Sequence, residues 1–129
     1  AKLPSGRKIA YHLPRLERKK TPWGEMKPVL SYMGVDSVTK QYCRQYSYGG
    51  KLVENITQAV ARDLIAEGML RCELMGYESL LSIHDELVAE APIGFGSITE
   101  FENLLASKPE WAEGCPVTAE GWIGQRYRK

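Results

Sequence analysis

A single helical pattern, from Lys51 to about Met75, constrains the fold of this chain more than any other feature. Apolar residues recur three or four positions apart along it, the spacing that places side chains on one face of a helix. These residues are Val53, Ile56, Val60 and Leu64. Gly76 follows the pattern and suits the left-handed backbone conformation that ends many helices. The chain is therefore predicted to be organised around one long helix.

The opposite face of that helix is polar. Glu54, Gln58 and Arg62 follow one another at intervals of four residues, close to one helical turn, and so share a face. A glutamine in such a position is commonly just solvated, yet its amide both donates and accepts, which suits the minor-groove edges of DNA. Arg62 beside it suits a phosphate. This face is either a solvated surface or a contact with duplex DNA.

Extended segments are predicted before the helix. Residues 7–13 alternate loosely and are predicted to form a strand that ends at Pro14, since proline cannot donate to a ladder. Residues 15–24 are predicted to be an exposed cationic loop and residues 29–33 a returning strand, which together make a hairpin with a long basic tip. A third extended segment is expected over residues 41–48.

Shorter elements are predicted after the helix. Ser97 is expected to cap a helix over residues 98–106, with Glu100 completing a capping box. Residues 116–122 are expected to form a last strand. The pattern as a whole predicts an α+β fold, in which a long helix packs on a small antiparallel sheet.

Composition places the chain among ordinary globular proteins. It has 129 residues, 43% hydrophobic and 26% charged, which suits one domain or part of a larger one and argues against disorder. No apolar run approaches the ~20 residues that cross a bilayer, and residues 1–6 lack the pattern expected of a secretion signal. Cys43, Cys72 and Cys115 form no close Cys-x-x-Cys pair, so reduced thiols in a cytoplasm are expected.

A net charge of +1 conceals a strong asymmetry. Residues 1–51 contain 11 basic and 3 acidic side chains, a balance of +8, whereas residues 52–129 contain 6 basic and 13 acidic, a balance of −7. Such a distribution either steers a polyanion to one surface or provides two solvated faces that attract each other. We divide the chain accordingly into a basic part, residues 1–50, and a part that begins with the long helix, residues 51–129.

The strongest candidate for chemistry is His84-Asp85-Glu86, which lies between two short apolar runs predicted to be the strands of a tight hairpin. Adjacent carboxylates repel each other, and a divalent cation resolves that repulsion. Mg²⁺ prefers carboxylate oxygen and keeps waters or phosphates in its other positions, so Asp85 is a candidate ligand, with Glu86 beside it. The alternative is that these are ordinary turn residues and that His84 bonds to a backbone carbonyl.

Other polar residues are open to more than one interpretation. Two-metal sites take carboxylates from more than one element, but Asp36 is predicted to lie in a turn and Asp63 to make a helix-to-sheet or surface contact. A tyrosine-rich segment before the helix suits either base stacking or strand packing. Its members are Tyr42, Tyr46 and Tyr48.

Taken in order, these motifs resemble a family A DNA polymerase of the phage and prophage type. Residues 49–63, GGKLVENITQAVARD, resemble the palm helix that touches template-primer duplex, and residues 83–88, IHDELV, resemble the third polymerase motif, motif C. Residues 3–7 (LPSGR), 31–36 (SYMGVD) and 119–122 (AEGW) also resemble segments of this group. The resemblance covers nearly the whole chain and implies a partial polymerase palm with a motif C hairpin.

The resemblance implies a role for each candidate residue. Asp85 would be the catalytic, metal-binding aspartate of motif C, and Glu86 the neighbouring carboxylate near the metals. His84 would lie by the primer-terminal phosphate, while Gln58 would read the duplex minor groove with Arg62 beside it. The implied cofactor is Mg²⁺, and the implied partners are template-primer DNA and deoxynucleoside triphosphates.

The chain also departs from the family pattern. Glu54 stands where many members carry asparagine, and the expected upstream arginine falls near Gly50. The first polymerase motif and the fingers helix that grips the incoming triphosphate are expected before Ala1. The chain is therefore expected to be a carboxy-terminal fragment that is inactive without the amino-terminal polymerase part. Its open sheet edge is expected to self-associate through residues 80–83.

Two other classes of function remain open on the sequence alone. One is a non-catalytic nucleic-acid-binding module that uses the basic part, for which duplex binding would depend on salt but not on Asp85 or Mg²⁺. The other is a metal-dependent phosphodiester hydrolase that uses His84-Asp85-Glu86, for which the chain alone would turn over a phosphodiester.

Overall fold

The computed structural model describes residues 1–20 and 22–127. Their elements, in chain order, are β1 (His12–Lys20), β2 (Met26–Val35), β3 (Tyr42–Ser47), α1 (Gly49–Leu74), β4 (Glu78–Ile83), β5 (Glu86–Glu90), α2 (Ile98–Ala106) and a short 3₁₀ turn (Glu110–Ala112). The strands form an antiparallel sheet in the order β1-β2-β3 and a separate antiparallel pair, β4-β5. The expected α+β class is confirmed. No helix in these residues is long and apolar enough to cross a membrane.

The chain forms two compact units, residues 1–59 and residues 60–129. The first unit contains the three-stranded sheet and the opening turns of α1, and the second contains the rest of α1, the β4-β5 hairpin and α2. The functional division into residues 1–50 and 51–129 stays a prediction.

The first strand differs from the prediction. Residues 7–13 do not form it; β1 begins at His12 and continues past Pro14, so most of the predicted cationic loop is strand. The register shifts between His12 and Arg15, and Leu13 adopts a φ of 46°, so the ladder is interrupted around the proline and resumes after it. Because β1 is an edge strand, Pro14 has no second neighbour to which it must donate.

The other two strands of this sheet lie where they were predicted, with β2 longer than expected at both ends. Asp36 ends β2 in a turn, as predicted: its Oδ1 accepts backbone N–H groups of Val38 at 3.0 Å and Thr39 at 2.7 Å. These backbone hydrogen bonds, led by that of Thr39, lower the pKa of the Asp36 carboxyl because they favour its charged form.

The long helix is confirmed as α1, and Gly76 follows it with a φ of 92°. The N–H of Tyr77 returns to the carbonyl of Cys72 at 3.0 Å, which closes the helix end. Cys72, Tyr77 and Ala112 are the buried apolar residues of the second unit. Burial raises the pKa of the Cys72 thiol, so this cysteine remains protonated at neutral pH.

In the second unit, α1 packs against α2. Gly68 of α1 is buried, and a Cβ built there would lie 3.1 Å from Cδ2 of Leu105 in α2. Arg71 reaches the carboxyl end of α2, where its Nε donates to the Leu104 carbonyl at 3.0 Å and its Nη2 to the Ser107 carbonyl at 2.5 Å. The guanidinium thereby satisfies carbonyls that a helix end leaves free.

The start of α2 departs in one respect from the predicted capping box. Ser97 Oγ accepts the N–H of Glu100 at 3.1 Å, as predicted. The Glu100 carboxylate, however, accepts the Tyr77 hydroxyl at 2.5 Å, and that hydroxyl in turn accepts the Ser97 N–H at 3.0 Å. The Tyr77 hydroxyl therefore lies between the Glu100 carboxylate and the Ser97 backbone N–H, the two groups that bond directly to each other in an ordinary capping box.

The predicted strand over residues 116–122 is wrong, because this segment has no regular structure. In place of strand pairing, its backbone makes a hydrogen bond to a side chain: the N–H of Gly121 donates to Glu102 Oε1 at 2.7 Å. The extended tail is thus attached to α2 by a carboxylate.

Candidate functional site

The predicted hairpin is present as β4-β5, but its turn is one residue shorter than the predicted three-residue insert. Ile83 pairs with Glu86, so His84 and Asp85 form a two-residue turn and Glu86 is the first residue of β5. His84 adopts a φ of 52°, the left-handed region that costs a non-glycine residue about 1–2 kcal/mol. The turn thus carries a backbone conformation that glycine would adopt at lower cost.

Asp85 lies at the exposed tip of this hairpin. Within residues 1–20 and 22–127, no hydrogen-bond donor or cation engages its carboxylate. An exposed, unpartnered carboxylate is accessible to a cation. Asp85 is therefore not the buried, structural aspartate that would exclude a role in metal binding.

Glu86 is half-buried and has a partner that the sequence did not predict. The hydroxyl of Tyr127 donates to Glu86 Oε2 at 2.9 Å. This hydrogen bond raises the pKa of Tyr127, because ionisation would break the bond and bring a phenolate against a carboxylate. The second oxygen of Glu86, Oε1, receives no such bond from Tyr127.

Arg62 is brought to the hairpin. Its Nη1 donates to Ser82 Oγ at 3.1 Å, and Ser82 lies in β4 two residues before His84. The guanidinium is exposed, so its remaining N–H groups stay available to an anion while this bond holds the side chain in place.

Gln58 lies in the first unit, exposed on α1, and its contacts there are polar. Its Nε2 donates to Glu54 Oε1 at 3.4 Å, and Lys51 Nζ donates to both oxygens of Glu54 at 2.9 and 3.0 Å. The bond to Glu54 raises the pKa of Lys51. The polar face predicted for the helix is therefore exposed and internally hydrogen-bonded.

A closed metal cage is not present in the part of the chain that the structure describes, where no three His, Cys, Asp or Glu side chains are grouped so that they could hold a metal ion. Asp85 and Glu86 are adjacent in the chain, the first exposed at the turn and the second half-buried at the start of β5. Mg²⁺ at a phosphate-transfer site commonly uses one or two carboxylates and completes its shell with waters and phosphate oxygens. The donor set of this hairpin fits that use.

Two residues of the site, Ser82 and Tyr127, were missed from the sequence. Ser82 carried a signal, since it is the polar residue inside the apolar run LLSI. Tyr127 carried none, because it lies 41 residues from Glu86 in a segment without regular structure.

The site is an antiparallel hairpin that exposes a carboxylate at its turn, beside a helix that contributes an arginine. A DNA polymerase of Bacillus phage SP02 is 40% identical to this chain over 127 residues. The similarity takes in 98% of the chain but only 19% of that polymerase, so the chain spans about a fifth of its relative's length. No protein-family model and no solved structure matches the chain.

Proposed function

We propose that this chain is the part of a phage-type family A DNA polymerase that contains the motif C hairpin of the palm. The observation that carries the proposal is its 40% identity to a phage DNA polymerase over 98% of the chain. The exposed, unpartnered carboxylate of Asp85 supports it, because a metal-binding role needs an accessible carboxylate. The left-handed conformation of His84 also supports it, since such backbone outliers cluster at functional sites.

The proposed reaction is template-directed nucleotidyl transfer by the parent protein. The primer 3′-hydroxyl oxygen bonds to the α-phosphorus of a deoxynucleoside triphosphate, the bond to the β-phosphate breaks, and pyrophosphate leaves. Mg²⁺, held by Asp85 with Glu86 adjoining, would polarise the attacking and leaving oxygens. As part of a replication enzyme, the chain would act in a cytoplasm.

The chain's own residues have separate tasks in this proposal. Asp85 holds negative charge at the turn, while Glu86 is oriented by its bond from Tyr127. His84 contacts the primer-terminal phosphate from the same turn. Arg62 is held by Ser82 and meets a backbone phosphate of the duplex.

Gln58 has the task of contacting the duplex minor groove. Its amide bond to Glu54 is long, at 3.4 Å, and lies on an exposed helix face. Replacing that hydrogen bond with one to a base edge in the minor groove therefore costs little free energy. Because Glu54 stands where many members of the resembled family carry asparagine, minor-groove contacts on this face depend on Gln58 in this proposal.

Primer extension tests the proposal. We expect the parent polymerase to lose extension when Asp85→Ala is introduced, and Glu90→Ala, which removes an exposed carboxylate from the same hairpin, to retain it. We expect the 129-residue chain alone to incorporate no nucleotide, because the first motif and the triphosphate-gripping helix are proposed to lie outside it. Extension at the wild-type rate by the Asp85→Ala parent contradicts the assignment of Asp85, and incorporation by the chain alone contradicts its proposed incompleteness.

A further inference from the structure

The two faces of the three-stranded sheet differ in character. Side chains alternate across a strand, so the strand register sorts each residue to one face or the other. One face collects cations from all three strands and two tyrosine rings from β3, and we name it the basic-aromatic face. Its charged and aromatic members, apart from Glu17, are His12, Arg15, Lys19, Lys27, Tyr42, Arg44 and Tyr46. The His12 ring lies against Tyr42, with ring centres 6.2 Å apart, and its Nδ1 is hydrogen-bonded to the Tyr42 hydroxyl.

The opposite face is the inner one in this unit. Tyr32 of β2 lies on it and packs edge-on against Tyr11, with ring centres 5.0 Å apart. The Tyr11 hydroxyl accepts Nδ2 of Asn55, in the opening turns of α1, at 3.2 Å. The opposite face is therefore covered around Tyr32, whereas Tyr42 and Tyr46 on the basic-aromatic face remain exposed.

Some charges on the basic-aromatic face are already engaged. Glu17 Oε1 accepts the Ser31 hydroxyl at 3.0 Å, and Arg44 Nη1 donates to the same hydroxyl oxygen at 3.1 Å. Lys27 pairs with Glu25 at 3.3 Å. The face thus has a fixed polar network at its centre.

Arg15 and Lys19 are exposed, and neither has a carboxylate partner among the residues whose structure is described. Lys19 Nζ lies 3.1 Å from the centre of the Tyr46 ring, so the lysine and the tyrosine form a cation–π contact. Tyr46 is 48% exposed and Tyr42 is 55% exposed. The two tyrosines are four residues apart on β3 and hence about 13 Å apart on the same face.

We propose that the basic-aromatic face binds single-stranded DNA, with Arg15 and Lys19 on phosphates and Tyr42 and Tyr46 stacked on bases. Exposed aromatic rings on a sheet, interspersed with cations, combine the two contacts that single strands offer, an accessible base face and a phosphate. A duplex hides its base faces and would leave the tyrosines unused. The choice of DNA over RNA rests on the proposed function.

Salt-dependent binding provides the first test. The probe is a fluorescein-labelled oligothymidylate, and its anisotropy is followed with the full 129-residue chain over a range of salt. Arg15→Gln with Lys19→Gln removes two phosphate contacts, so the slope of log K against log salt should become shallower by about 1.4. The matched control is Arg18→Gln with Lys20→Gln, which removes the same residue types and charge from the opposite face and should leave the slope unchanged. Equal changes in the two double variants overturn the proposal.

Base stacking provides the second test. Tyr42→Ala and Tyr46→Ala should each weaken oligothymidylate binding by roughly 5- to 150-fold, whereas Tyr42→Phe and Tyr46→Phe should bind as the wild type does. The phenylalanine variants also guard against misfolding, because they keep the strand packing. Binding to a blunt duplex of equal length with the same affinity, and no effect of the alanine variants, would overturn the single-strand assignment.

The outcome for this face is distinguishable from that of the proposed function. If Asp85→Ala abolishes extension by the parent and the face variants bind normally, this inference alone fails. If single strands bind as described and Asp85→Ala leaves extension intact, the polymerase assignment alone fails.

Discussion

At the scale of single residues, His84 shows how the hairpin turn carries strain. Its φ of 52° belongs to the region that glycine enters freely and that β-branched residues avoid. The proposed contact of His84 with the primer-terminal phosphate would give a histidine at this position a purpose other than making the turn.

We predict that His84→Gly leaves stability unchanged or raises it by up to about 1 kcal/mol, because it removes the left-handed penalty. His84→Val should lower the free energy of unfolding by about 1–2 kcal/mol, since a β-branched side chain tolerates the left-handed backbone conformation less well than histidine does. Urea denaturation followed by circular dichroism measures both. A valine variant as stable as wild type would show that the turn adapts without strain. In the parent enzyme, the stable glycine variant should still extend primers poorly.

At the scale of elements, Tyr77 connects the end of α1 to the start of α2. Its ring packs against Phe95 and Phe101, with centres 5.2 and 5.1 Å away. Its hydroxyl takes the position in the capping box that the Glu100 carboxylate would otherwise fill. One side chain thereby serves both the core and a helix cap.

The hydrogen bond of the Tyr77 hydroxyl predicts how the stability of the protein changes at alkaline pH. The bond to Glu100 raises the pKa of Tyr77 above its unfolded value near 10. A raised pKa means that the stabilisation is complete below the unfolded pKa and is lost as pH rises through the folded one. Tyr77→Phe should therefore be less stable than wild type at pH 7, with a difference that shrinks above about pH 10. Thermal melts of both proteins across this range provide the measurement, and a difference that stays constant with pH would argue against the bond.

At the scale of the whole molecule, much apolar surface is left uncovered. Large hydrophobic side chains are exposed in both units, among them Leu16 at 79%, Leu70 at 64% and Leu80 at 56%. In the residues that the structure covers, β4 and β5 pair only with each other, so the two-stranded sheet has open edges. A two-stranded sheet is marginal by itself, and open edges recruit further strands.

We predict that the 129-residue chain self-associates through the β4 edge in a concentration-dependent way. Leu80→Lys should weaken the association by about tenfold or more, because an edge lysine must be desolvated on strand pairing. Leu70→Lys is the matched control, since it places the same charge on an exposed position of α1. Sedimentation velocity distinguishes the two. A strictly monomeric wild type at high concentration would contradict the prediction.

Local patterns predicted the elements whose cause is local. The spacing of apolar residues and Gly76 located α1, Ser97 located α2, and the triplet between two apolar runs located the hairpin turn. The two-residue length of that turn and the exposure of Asp85 at its tip were supplied by the structure, since the sequence predicted a three-residue insert.

The sequence alone therefore determined the two helices, the strands β2 to β5, the charge asymmetry and the candidate carboxylates, because these depend on neighbours within a few residues. Only the tertiary structure decided that β1 runs past Pro14, that Tyr77 enters the α2 cap and that Tyr127 reaches Glu86. It also decided which cations share a face with Tyr42 and Tyr46. Each of these depends on strand register or on partners 20 to 41 residues away in the sequence. Contacts of that kind are set by how the whole chain folds rather than by any local pattern.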